Sequence, residues 1–252
     1  MVSDEMDMNT FGAVEVRSKK IQSSDPIVIE GFPGIGLIGN IAGQHIINEL
    51  EAEYIGIMNS RFFPPLAILT NGEISSPVKI YESVEKNMVI LISNVMLEPI
   101  LSFDVSKAIV DWAQNINVSE MISIAGIITM SGEQKVFGGA TNSELLDKIK
   151  EFTTIFEAGT ITGIPGSVMV ECYARDIPGI SLLGETSSQN PDPRAAAQVV
   201  KAMNSIYGLD INVEKLIKEA EAIELELQKL AEEVKTGADA PPLTMKDLSM
   251  YG

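Results

Sequence analysis

Short apolar runs and longer segments with helical periodicity alternate along the chain. Runs of mostly β-branched residues bounded by turn residues predict strands at 27–29, 54–58, 66–70, 78–81, 88–93, 121–128 and 180–183. Segments with apolar residues at steps of three and four predict helices at 37–50, 99–116, 142–152, 167–175 and 194–207. Nearly continuous apolar strands separated by helices are typical of sheets covered on both faces, so the pattern predicts an α/β sandwich around a mostly parallel sheet.

The stretch 66–93 departs from this alternation. Three predicted strands follow one another there with only short turns between them, one of which contains Asn71-Gly72. Asn-Gly is a frequent turn between antiparallel strands, because both residues tolerate positive φ angles. The stretch therefore predicts a local antiparallel hairpin.

The C-terminal part has a different character. Apolar residues at steps of three and four form a heptad seam at Val213, Leu216, Ala220, Ile223, Leu227, Leu230 and Val234. The helix that this seam predicts either lies on its own domain or packs against a partner helix, and the sequence leaves both open. Gly237 ends it. The predicted organisation is a flexible N-terminus at 1–10, a domain at 11–211, an amphipathic helix at 212–235 and a flexible tail at 236–252, which reaches about 55 Å if extended.

Charge and composition restrict the classes of partner. A formal charge of −17 argues against nucleic acid or an anionic membrane, because phosphate binding needs a local excess of Lys and Arg. No apolar run approaches the roughly 20 residues that cross a bilayer, and the acidic start lacks a secretory signal. With Cys172 as the single cysteine and His45 as the single histidine, neither a disulfide nor a zinc site is expected. We expect a cytoplasmic protein without a cofactor.

A glycine-rich segment follows the first predicted strand. Gly34, Gly36 and Gly39 match the spacing G-x-G-x-x-G and open a predicted helix, as in dinucleotide sites. Such sites also need an acidic residue at the end of the next strand, and that strand ends in Asn59 and Ser60. A tight turn with close packing of strand on helix is therefore favoured over nucleotide binding.

A second glycine segment, Gly138 and Gly139 followed by Asn142, is predicted to be a loop that runs into a helix. It either binds an anion or simply turns the chain, with Asn142 or Thr141 capping the helix. His45 is expected to be packed or solvent-facing, and Cys172 to be a small buried residue instead of a nucleophile.

The last three residues, Met250, Tyr251 and Gly252, form a different kind of signal. A carboxylate preceded by an aromatic and an apolar side chain is a known docking mode, in which pockets receive the side chains and donors capture the carboxylate. Behind a predicted helix and a Pro-interrupted tether, this segment is a candidate partner-binding site.

Four segments in the same order resemble the archaeal members of the proteasome assembly chaperone family, over about residues 26–230. They are GFPGIGLIG at 31–39, FGGATN at 137–142, IPGISLLGET at 177–186 and PDPRAA at 191–196.

The resemblance implies an α/β/α domain akin to the nucleoside phosphorylase architecture, without that family's enzymatic activity, that assembles as a homo-oligomer. It also implies docking between α subunits of the proteasome core particle through a terminal hydrophobic-tyrosine-any residue motif. By that analogy Met250 fills an apolar slot, Tyr251 contacts the pocket, and the Gly252 carboxylate pairs with a lysine of the α ring.

The resulting hypothesis is an ATP-independent proteasome assembly chaperone or activator that is not an enzyme. The alternative is a nucleotide- or nucleoside-binding enzyme that uses the two glycine segments. A third hypothesis is a structural protein that self-associates through the seam at 213–234.

Overall fold

A ten-stranded sheet with helices on both faces forms the domain in the computed structural model, which describes residues 6–70, 72–129 and 131–222. The strands are β1 (Met6–Phe11), β2 (Val14–Lys19), β3 (Ile27–Gly31), β4 (Glu53–Ser60), β5 (Ile68–Thr70), β6 (Glu73–Ser75), β7 (Val78–Ser83), β8 (Met88–Ser93), β9 (Glu120–Ile128), β10 (Val136–Ala140), β11 (Thr154–Ile155) and β12 (Gly179–Thr186). The helices are α1 (Ile38–Glu49), α2 (Ser102–Asn115), α3 (Ser143–Ile149), α4 (Gly163–Ala174), α5 (Pro193–Tyr207) and α6 (residues 214–222). None of these described helices is both long enough and apolar enough to span a bilayer.

The main sheet is parallel at its centre and in the edge pair β10–β11, and antiparallel elsewhere. Its order is β1-β2-β4-β7-β8-β3-β9-β12-β10-β11, in which β8, β3, β9 and β12 run parallel. The pairs β1–β2, β2–β4, β4–β7, β7–β8 and β10–β12 are antiparallel. The prediction of a mostly parallel sheet is therefore wrong. Tight turns join β1 to β2 and β7 to β8, and such turns connect only antiparallel neighbours.

Helices cover both faces of the sheet, which confirms a three-layer α/β/α sandwich. Side chains alternate along the central strands, so Val28 of β3 belongs to the core under α2 and α4, whereas Ile29 belongs to the core under α1 and α5. Leu91 and Ile90 of β8 divide in the same way. The further likeness to nucleoside phosphorylases stays an expectation.

The hairpin predicted at Asn71-Gly72 is present. β5 and β6 pair antiparallel with Thr70 opposite Glu73, and Gly72 has a φ of 85°. These two strands form a separate small sheet, and the short strand β6 was not predicted.

Two strands near the N-terminus correct the sequence-based organisation. Residues 6–10, expected to be part of a flexible N-terminus, belong to β1, which pairs with β2. β2 was also missed, although Val14 and Val16 face the core while Glu15 and Arg17 do not. That alternation is the sequence pattern of a half-buried strand.

Side-chain caps set the starts of two helices. The Asn142 side chain accepts a hydrogen bond from Leu145 N at 2.9 Å and begins α3, and Asp192 accepts one from Ala195 N at 2.9 Å and begins α5. Pro193 occupies the first turn of α5, where no backbone N–H is needed. The Asn142 cap is one of the two that the sequence predicted for α3.

The first part of the C-terminal helix packs on its own domain. Leu216 and Ala220 of α6 are buried, and Leu216 joins the core under α1 and α5. Nearby, His45 Nε2 of α1 lies 2.6 Å from the carbonyl oxygen of Asn212. The remaining seam positions, Ile223 to Val234, lie outside the described residues.

Candidate functional site

The glycine turn at residues 34–39 joins β3 to α1 at the carboxyl end of the parallel strands. Gly36 and Leu37 have φ angles of 64° and 50°, so the chain makes a left-handed turn before α1 begins. A β-carbon on Gly39 would lie 2.4 Å from the carbonyl oxygen of Ile124 in β9. Gly39 therefore allows α1 to pack directly on the sheet, whereas a β-carbon on Gly34 would meet no atom of the described residues within 4 Å.

Neighbouring backbone contacts this turn at Ile35 and Gly36, while Gly34 and Ile35 also line a cavity of about 250 Å³. Asp192 N donates a hydrogen bond to the Gly36 carbonyl at 2.9 Å, and Leu37 N donates to the Gly34 carbonyl at 3.0 Å. The Ile35 carbonyl lies so close over β9 that a β-carbon on Gly126 would approach it to 2.2 Å. In a dinucleotide site the backbone amides of this turn face a pyrophosphate. Here strand and loop backbone pack against the turn.

The strand order also differs from that of a dinucleotide site. The strand after α1 is β4, and β7 and β8 separate it from β3. A ribose-binding carboxylate would have to end a strand beside β3, but β4 ends in Asn59 and Ser60. The geometry therefore explains the glycines by packing and supplies no ribose ligand in that position.

Gly39→Ala is expected to lower the free energy of unfolding by about 1–3 kcal/mol, because the new methyl group collides with the Ile124 backbone. Gly34→Ala is the matched control, since it adds the same methyl group to the same turn in open space at a φ of −157°. Denaturant titration of both variants measures the difference. Equal stabilities would contradict the packing role of Gly39.

The second glycine segment is a strand and not the predicted loop. Gly138 and Gly139 lie in β10, and a β-carbon on Gly138 would come within 2.4 Å of Thr153 Oγ1. A β-carbon on Gly139 would project from the opposite face of the strand, where it would meet no atom of the described residues within 4 Å. The Asn142 side chain is used as the cap of α3. The close packing at Gly138 explains why glycine occurs in this strand, although the two adjacent glycines predicted a loop.

Cys172 and His45 do not form a nucleophile and base. Cys172 is a fully buried residue of α4, and burial raises the pKa of its thiol to about 12, with a smaller opposing effect from Arg175. Because the thiolate is the reactive form, this cysteine stays an inert thiol at neutral pH. His45 lies on α1, in the core on the other face of the sheet.

Two buried carboxylates at the carboxyl ends of the central strands were missed by the sequence analysis. Glu30 on β3 has no exposed surface and accepts hydrogen bonds from Phe32 N and Ser123 Oγ. Burial raises its pKa from 4.5 to about 7, against the effect of those two bonds. Glu185 on β12 accepts bonds from Thr129, Ser131 and the backbone of Lys135; burial acts to raise its pKa, but these bonds leave it below its usual value. Among the described residues no group of three His, Cys, Asp or Glu side chains is placed to hold a metal ion.

Exposed apolar side chains occur at two places that suit protein contact. Met96 lines a cavity of about 250 Å³ at the carboxyl ends of β9 and β12, and Ile100 and Phe103 project from the adjacent turn and from α2. Leu69 and Ile74 are exposed on the β5–β6 hairpin. Closely spaced exposed apolar residues commonly mark protein interaction surfaces.

The predicted partner-binding residues Met250, Tyr251 and Gly252 lie outside the described residues, as does the predicted tail at 236–252. The described part of the chain ends in α6, on the face of the sheet that carries α1 and α5.

Comparison with known proteins gives one family and several similar structures. The PAC2 family profile matches residues 28–231. PbaA of Pyrococcus furiosus, an archaeal homologue of proteasome-assembly chaperone, is 34% identical with a TM-score of 0.79, over 88% of this chain and 93% of that one. PbaB of the same organism, an archaeal proteasome activator, is 26% identical with a TM-score of 0.76, over 90% and 99%. An uncharacterised protein of Methanocaldococcus jannaschii is 38% identical over 86% of this chain and 90% of its own length. The matched family range begins within β3 and stops before Met250.

Proposed function

The chain belongs to the PAC2 family, and from that membership we propose that it is a proteasome assembly chaperone or activator that works without ATP and without catalysis. The observation that carries the proposal is the likeness in sequence and fold to PbaA, a homologue of proteasome-assembly chaperone. The likeness to PbaB, a proteasome activator, supports the same class of partner. In this proposal the protein acts in the cytoplasm on the α subunits of the core particle.

Docking is proposed to occur through Met250, Tyr251 and Gly252. An apolar side chain, an aromatic ring and a carboxylate suit a cleft that offers an apolar slot and a cationic group. The described chain ends in α6 on the outer side of the domain, and residues 223–252 follow. The predicted tail at 236–252 alone spans up to about 55 Å if extended, which is enough to reach a neighbouring molecule.

Self-association would make such a short anchor effective. Three residues bind weakly, but several tethered copies raise the effective concentration and add roughly two to four orders of magnitude in avidity. The exposed apolar residues of the hairpin, Leu69 and Ile74, support a homo-oligomer.

Charge supports the choice of partner surface. The formal charge of −17 would repel nucleic acid and anionic lipid, and it would speed the approach to a basic protein face. We therefore propose that the face of the α ring around the docking cleft carries positive charge.

Binding to purified core particle and to isolated α rings tests the proposed function. We expect the full chain to co-elute with both in size-exclusion chromatography, with the same yield in the presence and absence of ATP. Calorimetric titration with adenine nucleotides and nucleosides is expected to show no saturable heat. Failure to bind either assembly would contradict the proposal, and micromolar nucleotide binding would favour the enzyme hypothesis instead.

A further inference from the structure

A row of polar residues crosses the sheet beneath α2 and α4. Glu30 on β3 is the register partner of Ser123 on β9, and Ser123 is the partner of Ser181 on β12. Ser181 in turn lies opposite Gly139 on β10. The row faces α2 and α4, because the alternating neighbour Ile180 belongs to the core on the other face.

Ser181 is the member of this row whose side chain lacks a partner. Ser123 Oγ donates a hydrogen bond to Glu30 Oε2 at 2.6 Å and is thereby satisfied. Ser181 is 1% exposed, and its Oγ makes no hydrogen bond to any described residue. Since a buried hydroxyl without a partner is energetically costly, such groups normally pair with water or a ligand.

A cavity of about 500 Å³ opens beside this hydroxyl. Ser181 and Gly139 line its floor, and Met169 and Tyr173 of α4 line one wall. Gly139 contributes the open space, because a β-carbon there would lie more than 4 Å from every other described residue that is not its chain neighbour. The volume falls within the range of pockets that hold small molecules.

The side chains around the cavity select for a neutral ligand. Among the described residues no Lys, Arg or His lines it and Glu157 is the one charged residue, so phosphates and carboxylates find no cationic partner in this part of the chain. Phe156, Met169 and Tyr173 offer apolar and aromatic contact. Ser181 offers one hydroxyl, which both donates and accepts a hydrogen bond.

We propose that this cavity binds a small, uncharged, mostly apolar molecule whose hydrogen-bonding group pairs with Ser181 Oγ. The site lies on the same row of the sheet as the buried carboxyl of Glu30. One strand, β9 with Ser123, separates Ser181 on β12 from Glu30 on β3. The site is independent of the proposed docking tail.

Methyl NMR of the full chain labelled at methionine methyl groups tests the site with benzyl alcohol as probe. We expect a saturable shift of the Met169 methyl signal, identified through Met169→Leu, with a Kd on the order of 1 mM for so small a probe. Toluene should bind about five-fold more weakly because it lacks the hydroxyl, and benzoate should not bind. Ser181→Ala should weaken benzyl alcohol about five-fold and leave toluene unchanged.

Two variants complete the test. Gly139→Val fills the open space from the floor of the cavity and should abolish the shift with both probes, whereas Gly34→Ala, which adds a methyl group away from the cavity, should leave it unchanged. Absence of any saturable shift would mean that Ser181 is satisfied by water alone and would overturn the proposal. Equal binding of toluene and benzyl alcohol, unaffected by Ser181→Ala, would overturn it as well. So would a Met169 signal that depends on protein concentration without probe, since a second copy would then cover the cavity.

Discussion

A chain that ends at Ser249 is expected to bind the α ring at least about 100-fold more weakly than the full chain. The affinity falls because the truncation removes the proposed anchor. Several tethered copies raise the avidity only if each copy makes a contact of its own. Surface plasmon resonance with immobilised core particle measures the affinity of both forms. Light scattering of both forms checks that the oligomeric state is the same, so that a change in affinity reports the anchor.

Two further variants separate the anchor from the tail that carries it. Leu243→Ala removes apolar surface from the same segment and is expected to change the affinity by less than about two-fold, as for a residue outside the contact. Two glycines added after Gly252 move the carboxylate away from its cleft and should weaken binding nearly as much as the truncation. Unchanged affinity of the chain that ends at Ser249 would refute docking through these residues.

Glu30→Gln is expected to stabilise the protein at alkaline pH by about 3 kcal/mol. Because burial raises the pKa of Glu30 to about 7 in the folded state, from an ordinary value of 4.5, the folded protein binds more protons than the unfolded chain between these two values. The free energy of unfolding of the natural protein should therefore fall by about 3 kcal/mol as the pH rises from 4.5 to about 7. At higher pH it should stay at this lower value. Glutamine is neutral throughout and still offers an oxygen to Phe32 N and an amide group to Ser123.

Denaturant titrations from pH 5 to pH 9 measure this effect as the difference between the variant and the natural protein. Glu49→Gln serves as the matched control, because it removes one negative charge from an exposed position at the end of α1. We expect the Glu30→Gln difference to grow from pH 5 to just above pH 7 and then stay constant to pH 9, and the Glu49→Gln difference to vary little. A pH-independent difference for Glu30→Gln would contradict the assignment of a buried, proton-binding carboxyl.

The elements of the central layer could be predicted from the sequence, because the spacing of apolar residues indicates which positions of a strand or helix are buried. The run at 88–93 coincides with β8, all of whose residues are buried, and Pro193 and Asp192 mark the start of α5 where capping rules place it. The mostly parallel strand direction was predicted wrongly, because a strand that is buried on both faces shows the same apolar run whether its neighbours are parallel or antiparallel. The edge strands were missed for a related reason, since half-buried edges contain fewer apolar residues.

The site residues were harder to predict, because they come together only through strand register. Glu30 and Ser123 are 93 positions apart in sequence, and their hydrogen bond depends on the pairing of β3 with β9. A signal for Glu30 was available, since it is the one charged residue within the apolar run of β3. No comparable signal marks Ser181, whose free hydroxyl becomes visible only when β10, β12 and α4 are assembled.

Photocrosslinking from position 251 tests whether the C-terminal residues dock on the α subunits. Tyr251 is replaced by a photoreactive phenylalanine analogue of similar shape, and the full chain is illuminated in the presence of core particle. We expect covalent adducts with α subunits that disappear when unlabelled full chain competes and persist when the chain ending at Ser249 is added instead. Adducts confined to the protein's own chain, with none on α subunits, would contradict this docking.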